Sequence, residues 1–335
     1  MGAKMILANE FNCPDRARKR ELDAVMAVAA GDMEMSLSTV ALFEKELAEW
    51  TGFAQSVGAS SDTGGVSVML GALGFRFGDE VIVSPDVPPW VIAPLLHAGL
   101  TLAVVDYEPG SLRVNTAALA RLISSKTRAI LVSSPFGYQQ DFSELLALGR
   151  SKRIVTIIEM TESLGVTFEK RRIYDDFDIG LLSLKEGHSD ISTGEGGALL
   201  FRNPEWARRA KSYAQFSDLD GVNPGVNHKL SGIQCAVGRL RIKALTARIV
   251  GYRDSAYRIA AYCQQRGVSL LPRLAGRMAG RAVVVNKTAA DTANIPWQEL
   301  PLLTHYLAPL ENLAPEAALM AQGWCGVHVD EWGEY

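Results

Sequence analysis

Hydrophobic and polar positions follow two alternating patterns between about residues 55 and 200. Short runs rich in β-branched residues, typical of buried strands, are separated by segments whose apolar residues recur at helical spacing. Strands are predicted at 55–58, 80–84, 101–105, 128–133, 153–158, 179–184 and 198–201. Because strands alternate with helices, the pattern predicts crossover units, a mostly parallel sheet and an α/β fold class.

Helical patterns also lie at specific points around these strands. Val40, Phe43, Leu47 and Trp50 recur at steps of three and four, which predicts an amphipathic helix. Residues 64–74 predict a helix that begins after a polar turn, an arrangement that offers free backbone N–H groups to an anion. Two further segments are a helix at 230–249, expected to connect a larger and a smaller domain, and a strand or ordered tail at 324–335.

Composition is that of a globular protein with a large core. The 335 residues, 48% of them apolar, predict a large domain at 1–240 and a small one at 241–335. The formal net charge of −3 comes from interleaved acids and bases, which argues against nucleic acid or membrane partners and favours a small molecule. The longest apolar run, at 91–105, is interrupted and too short to span a bilayer, and no secretory leader is visible, so we expect a cytoplasmic protein.

Cysteine and histidine give no metal or disulfide pattern. The four cysteines lack the short spacings of a zinc site or redox pair, and the five histidines are isolated from one another. We therefore expect reduced cysteines and no bound metal.

Several short motifs follow one another over about residues 5–250. They are Phe-Glu-Lys-Glu-Leu-Ala at 43–48, Ser-Asp-Thr at 61–63, Gly-Asp-Glu-Val-Ile at 78–82, Gly137 with Asp141, Glu159 to Gly165, Ser183 with Gly-Glu-Gly-Gly at 194–197, and Asn-His-Lys-Leu at 227–230. Their order and spacing resemble the DegT/DnrJ/StrS family of sugar aminotransferases, vitamin B6 enzymes with the aspartate aminotransferase fold.

The resemblance implies a fold, a cofactor and partners. The fold would be a three-layer αβα sandwich of the type I pyridoxal-phosphate transferases, with a smaller C-terminal α/β domain that is shortened here. The cofactor would be pyridoxal phosphate or pyridoxamine phosphate, unless its binding has been lost, and the substrate a nucleotide sugar or related intermediate. Members form dimers, so this chain would form a homodimer or a heterodimer with a lysine-bearing homologue.

By the resemblance, Ser61, Asp62, Thr63 and Ser183 would hold the cofactor phosphate. The family has glycine where this chain has Asp62. A carboxylate there either repels the phosphate or caps the helix and takes the anion's place; a plain N-cap is the simplest alternative.

The pyridine ring would meet three further residues. Glu159 stands where the family has an aspartate that keeps the ring nitrogen protonated; otherwise it is an ordinary carboxylate at a strand end. Glu162 stands where family aminotransferases often have glutamine. Trp90 lies near the position of the aromatic residue that stacks on the ring, with a buried core tryptophan as the alternative.

The family's Schiff-base lysine has no clear counterpart. Counting from Ser183 puts His188 at its place, and counting back from Gly194 puts Ser189 there. In the family's 3-dehydratases a histidine at this position acts as a base with pyridoxamine phosphate, which would make His188 catalytic. Lys185 shares a face with Ser183 if the strand continues, so it is either an unusual Schiff-base lysine or a solvated cation.

Asn227 and Lys229 correspond to a segment that, in the family, reaches the phosphate in the neighbouring subunit. Three hypotheses remain: a lysine-free enzyme with dehydratase-like chemistry, a non-catalytic homologue that keeps the fold and dimer interface, and an ordinary aminotransferase that uses Lys185.

Overall fold

The computed structural model describes residues 14–216, 224–271, 282–292, 298–299 and 314–328. The chain forms two compact units. The first consists of Met1–Gly74 with Leu181–Arg248 and the second of Phe75–Gly180 with Ile249–Tyr335. The division into domains at 1–240 and 241–335 stays a prediction.

The described helices and strands alternate along most of the chain. In chain order they are α1 (Pro14–Ala29), α2 (Met33–Thr51), β1 (Gln55–Ala59), α3 (Asp62–Leu73), β2 (Glu80–Val83), α4 (Pro89–His97), β3 (Thr101–Val104), α5 (Thr116–Leu122), β4 (Thr127–Val132), α6 (Ser143–Lys152), β5 (Val155–Glu159), β6 (Thr167–Phe168), β7 (Arg171–Arg172), β8 (Ile179–Ser183), β9 (Gly197–Phe201), α7 (Pro204–Tyr213), α8 (Gly232–Gln265), β10 (Ala282–Asn286), α9 (Lys287–Thr292), β11 (Gln298–Glu299), α10 (Pro315–Gly323) and β12 (Trp324–His328).

The first unit is built on strands in the order β1-β9-β8, with residues 181–183 of β8 belonging to it. Strands β1 and β9 are antiparallel, in a register that pairs Gln55 with Phe201 and Ala59 with Gly197. Helices α2, α3 and α7 pack on β1, and α3 and α7 also contact β9. This packing fixes the turn between β1 and α3.

The second unit carries four parallel strands in the order β5-β4-β2-β3. Nearly all of β2, β4 and β5 is buried, as expected for parallel strands whose two faces are both covered. Strands β10, β12 and β11 form a separate antiparallel sheet of this unit, and β6 pairs with β7. The carboxyl ends of the four parallel strands lie at one edge of the sheet.

All seven predicted strands are confirmed, with ends that differ by at most two residues. The amphipathic helix is confirmed as α2, in which Phe43 and Leu47 are fully buried. The helix predicted at 64–74 begins two residues earlier, at Asp62, and the one predicted at 230–249 is part of the longer α8. Of the segment 324–335, residues 324–328 form β12 and the rest lies outside the described residues.

Within the described part of the chain, every helix is too short or too polar to cross a bilayer. The same residues contain no cluster of side chains that could bind a metal ion. Cys235 and Cys263 are buried and unpaired, whereas the side chains of Cys13 and Cys325 lie outside the description.

Candidate functional site

The turn between β1 and α3 places three polar side chains at a helix N-terminus. Ser61 has extended backbone angles (φ −149°, ψ 162°), so its Oγ turns back and accepts a hydrogen bond from the Gly64 N–H at 3.0 Å. The same oxygen lies 3.2 Å from the Thr63 hydroxyl. The alternative that Asp62 is the N-cap is therefore wrong, because Ser61 takes that position.

Asp62 is instead the first residue of α3 and is 8% exposed. One carboxylate oxygen accepts the Thr63 N–H at 2.7 Å, and the other accepts the Ser183 hydroxyl at 3.1 Å. Ser183 is completely buried at the end of β8, and its Oγ also accepts the Lys185 N–H at 3.2 Å. The negative charge of Asp62 is thus stabilised by two donors and by the positive end of the helix dipole.

Two glycines and a histidine pack closely around this turn. A Cβ atom on Gly197 would lie 2.8 Å from both the Asp62 Cα and the Ser61 carbonyl oxygen, so β9 approaches the turn as only glycine permits. A Cβ on Gly64 would lie 2.9 Å from His228 Nδ1, which is 3.3 Å from the Ser60 hydroxyl. Burial lowers the pKa of His228, so its imidazole is neutral at pH 7.

The segment that follows β8 is held by arginines of α8. Arg241 donates to the Ser192 carbonyl oxygen, and Arg248 donates to the Asp190 carbonyl oxygen, each at 2.8 Å. Arg241 also forms an ion pair with Glu21 of α1. Charge-assisted bonds to two carbonyls fix the path of the backbone where the resemblance expects a lysine.

The three candidates for the lysine position differ in exposure. Lys185 and His188 are both exposed. Ser189 is 8% exposed, and its Oγ accepts the Ile191 N–H at 3.3 Å. Of these three side chains, the hydroxyl is the buried one.

The segment from Asn227 to Lys229 runs beside β1. Asn227 and Lys229 are exposed, and the Lys229 backbone forms a bridge with Ala59. The Lys229 ammonium lies 5.3 Å from the centre of the Phe216 ring, a cation–π contact within its own chain. The expected role of these residues toward a neighbouring subunit stays a prediction.

In the second unit, Glu159 ends β5 and is 4% exposed. Its carboxylate accepts the Thr161 N–H at 2.9 Å and the Ser133 hydroxyl at 3.2 Å. Burial raises the pKa of Glu159 to about 7, and the nearby charge of Glu162 contributes to the increase. Glu159 is therefore only partly ionised at neutral pH.

Glu162 and Trp90 lie in the same unit. Glu162 accepts the Phe136 N–H at 2.6 Å, and Phe136 has a left-handed backbone (φ 55°), a strained conformation for an aromatic residue. Trp90 lies in the first turn of α4 and is half-buried. Its predicted contact with a ring stays a prediction.

Sequence reasoning missed Asp86 and Tyr107. Asp86 follows β2 by three residues and is 2% exposed, and Tyr107 is 1% exposed. Burial raises the pKa of Asp86 to about 6, and the charge of Glu162 adds to this increase. An acid in a proline-rich turn directly after a buried parallel strand was the available signal, because ligands in α/β folds bind at such strand ends.

Comparison with known sequences supports the resemblance over most of the chain. A model of the DegT/DnrJ/EryC1/StrS aminotransferase family matches residues 15–286. Protein MosB of Rhizobium meliloti is 29% identical over 64% of this chain, and the match spans only 43% of MosB. GDP-perosamine synthase of Caulobacter vibrioides is 24% identical over 85% of this chain and 82% of its own. GDP-4-keto-6-deoxy-D-mannose 3-dehydratase of Yersinia pseudotuberculosis is 25% identical over 71% and 67%, respectively.

Solved structures show the same fold. The aminotransferase TlmJ from Streptoalloteichus hindustanus has a TM-score of 0.77 at 21% identity, over 92% of this chain and 90% of its own. NtdA from Bacillus subtilis, solved with bound pyridoxamine phosphate, has a TM-score of 0.78 at 18% identity, over 93% and 77%. A GDP-4-keto-6-deoxymannose-3-dehydratase with a trapped pyridoxal phosphate–glutamate adduct has a TM-score of 0.76 at 17% identity, over 92% of both chains.

Two of these three structures contain a B6 cofactor or its adduct, and all three confirm the predicted α/β fold class with its mostly parallel sheet. Together with the family match over residues 15–286, they establish that the chain belongs to the DegT/DnrJ/EryC1/StrS aminotransferase family.

Proposed function

We propose that this chain is a non-catalytic member of its family, a subunit in nucleotide-sugar metabolism that performs neither transamination nor dehydration. The observation that carries the proposal is the segment after β8. Of the residues that can occupy the lysine position there, the buried one is Ser189.

A Schiff base to an aldehyde requires a primary amine that can lose its proton, and a hydroxyl cannot replace it. Lys185 lies two residues after Ser183, whereas the count from Ser183 puts the family's lysine at the position of His188. The backbone of the segment is tied to Arg241 and Arg248 of α8, which opposes a rearrangement that would bury Lys185. Both observations argue against an ordinary aminotransferase.

The 25% identity to a 3-dehydratase favours the second candidate, in which His188 acts as a base. Counting back from Gly194, however, puts Ser189 and not His188 at the lysine position, and the side chain of Ser189 is the buried one. An active lysine-free enzyme should also preserve the phosphate-binding turn, in which Asp62 stands where the family has glycine. The non-catalytic role accounts for these features together.

The pathway is inferred from the relatives, two of which are named for GDP-sugars. A non-catalytic subunit acts by packing against another chain. We include in the proposal the dimer expected from the resemblance, either with a second copy or with a lysine-bearing homologue.

The test is a spectroscopic and activity assay of the purified chain. Pyridoxal phosphate is added, the near-ultraviolet and visible spectrum is recorded, and borohydride is used to trap any Schiff base for mass spectrometry. GDP-4-keto-6-deoxy-D-mannose is then supplied with pyridoxamine phosphate and glutamate. We expect no internal aldimine band, no trapped lysine and no conversion of the sugar.

Two outcomes would contradict the proposal. A lysine trapped at Lys185, absent from Lys185→Arg, would identify an aminotransferase. Sugar conversion that requires pyridoxamine phosphate and disappears in His188→Ala would identify a dehydratase.

A further inference from the structure

We propose that the Asp62 carboxylate occupies the place of a bound phosphate at the N-terminus of α3, so that this chain folds without a B6 cofactor. The inference rests on the non-catalytic role proposed above and gives it a physical cause. The residues present do not fit the phosphate group, for three reasons.

The first reason is that the donors are already used. A phosphate at a helix N-terminus is bound by free N–H groups and nearby hydroxyls. Here the Thr63 N–H and the Ser183 hydroxyl both donate to Asp62, at 2.7 and 3.1 Å. The Ser61 hydroxyl oxygen meanwhile accepts the Gly64 N–H. The two oxygens of Asp62 thus receive donors of the kinds that would hold a phosphate.

The second reason is lack of room. Asp62 is 8% exposed, and its backbone abuts the start of β9, where even one added carbon on Gly197 would lie 2.8 Å from the Asp62 Cα. The contacting atoms are backbone atoms, which cannot turn aside as a flexible side chain does. Asp62 therefore cannot move toward β9 with its helix turn to admit a larger anion.

The third reason is charge. A phosphate dianion beside an ionised carboxylate is repelled unless cations compensate. The Lys229 ammonium lies over the Phe216 ring, and His228, the imidazole packed against this turn, is neutral at pH 7 because burial lowers its pKa. The positive end of the helix dipole stabilises an anion at this position, and the Asp62 carboxylate is that anion.

The experiment compares ligand binding by the full-length wild-type chain, Asp62→Gly and Asp62→Asn. Glu34→Gln is the matched control, because it removes an acid from the first turn of α2 and changes the net charge as Asp62→Asn does. Calorimetric titration with pyridoxamine phosphate and, separately, inorganic phosphate measures affinity, and thermal unfolding with and without each ligand gives a second measure.

We expect the wild-type chain and Glu34→Gln to bind pyridoxamine phosphate with Kd above about 1 mM and to show no shift in Tm. Asp62→Gly, which removes the side chain together with its charge, should bind it at least about tenfold more tightly and show a ligand-dependent rise in Tm. Asp62→Asn, which removes the charge but still fills the position, should bind it less tightly than Asp62→Gly. If Asp62→Gly does not fold, Asp62→Ala decides, because it also removes the carboxylate and alanine is the better helix former.

Micromolar binding by the wild-type chain overturns the inference, and so does unchanged weak binding by folded Asp62→Gly or, where that variant does not fold, by Asp62→Ala. Binding of pyridoxamine phosphate by the wild type without sugar conversion would remove the role of Asp62 but leave the non-catalytic function intact. Binding of pyridoxamine phosphate by the wild type together with sugar conversion would contradict both the role of Asp62 and the non-catalytic function.

Discussion

At the scale of single residues, the hydrogen bond between Ser183 and Asp62 couples the end of β8 to the start of α3. Ser183→Ala should lower the free energy of unfolding by about 1 to 3 kcal/mol, because it removes a bond to a charged acceptor and leaves the Lys185 N–H without it. In an Asp62→Asn background the loss should be smaller, which gives a coupling energy of about 1 to 2 kcal/mol in a double-mutant cycle measured by urea unfolding.

The matched cycle pairs Ser183→Ala with Glu34→Gln. Glu34 is exposed in the first turn of α2, and we expect its effect to add to that of Ser183→Ala within about 0.5 kcal/mol. Additive effects in both cycles would show that the hydrogen bond between Ser183 and the Asp62 carboxylate does not stabilise the fold.

The sequence alone identified Asp62 as the unusual residue of the turn but left its role open. The answer depends on the extended backbone of Ser61, which makes Ser61 the cap, and on Ser183, which is distant in sequence. Neither the backbone conformation of Ser61 nor the contact between Ser183 and Asp62 can be inferred from residue type and spacing. For the same reason, counting could not choose between His188 and Ser189, which differ in burial.

At the scale of elements, Glu44 ties α2 to β1 and α7. It is 8% exposed, accepts the Gly58 N–H at 3.0 Å and forms an ion pair with Lys211 at 2.8 Å. Glu44→Ala should lower the free energy of unfolding by about 2 to 3 kcal/mol, because it leaves a buried N–H and an ammonium without their acceptor.

Glu49→Ala, in the same helix, is the control for this prediction. Glu49 is 64% exposed and pairs only at 3.8 Å with the equally exposed Lys45, so the expected change is within about 0.5 kcal/mol by chemical denaturation. Equal decreases in the free energy of unfolding in the two variants would show that the contacts of Glu44 with β1 and α7 do not stabilise the fold more than an exposed ion pair does.

The approach of β9 to α3 requires Gly197. Gly197→Ala should cost about 2 kcal/mol, since its Cβ would lie 2.8 Å from backbone atoms of Ser61 and Asp62. Gly251→Ala is the counterpart within α8, where a Cβ meets open space, and it should raise Tm because alanine is the better helix former. Thermal unfolding of both variants checks the pair; a neutral Gly197→Ala would mean that the strand can shift.

Six of the seven strands could be predicted because most of their residues are buried and many are β-branched or otherwise apolar, so their pattern is local; β3 is exposed or half-buried throughout. The length of α8 could not be predicted, since Gly251 interrupts the helical pattern just beyond the predicted end at residue 249. Tertiary packing restores the helix: Ala256, Ile259 and Cys263 are buried against the strand of Val283 and Val285. Interactions distant in sequence decided the end of this element.

At the scale of the whole molecule, the fold follows from local patterns and family membership, whereas the electrostatics of the site do not. Asp86 lies far from Glu159 and Glu162 in the chain, and the parallel arrangement of β2, β4 and β5 brings it to the same edge of the sheet as Glu159. Sequence analysis found Glu159 and Glu162 by resemblance and missed Asp86, which belongs to no motif. The charge of Glu162 raises the pKa values of Asp86 and Glu159 only in the folded chain.

These raised pKa values predict that the protein becomes less stable as pH rises from about 4.5 to 7. In this range the folded chain retains protons on Glu159, with a pKa of about 7, and on Asp86, with a pKa of about 6, that the unfolded chain has released. Proton release by the unfolded chain therefore favours unfolding, and the free energy of unfolding stops falling above pH 7. For Glu159 alone, the decrease in the free energy of unfolding amounts to about 3 kcal/mol, because one pKa unit corresponds to about 1.4 kcal/mol.

Glu159→Gln isolates this effect, because glutamine has nearly the same shape and does not titrate. Urea unfolding at intervals between pH 4 and 8 should show the variant about 3 kcal/mol more stable, relative to wild type, at pH 8 than at pH 4. Glu144→Gln, which removes an exposed acid from the first turn of α6 in the same unit, should leave the slope unchanged. Parallel curves for wild type and Glu159→Gln would show that Glu159 is ionised in the folded chain at neutral pH.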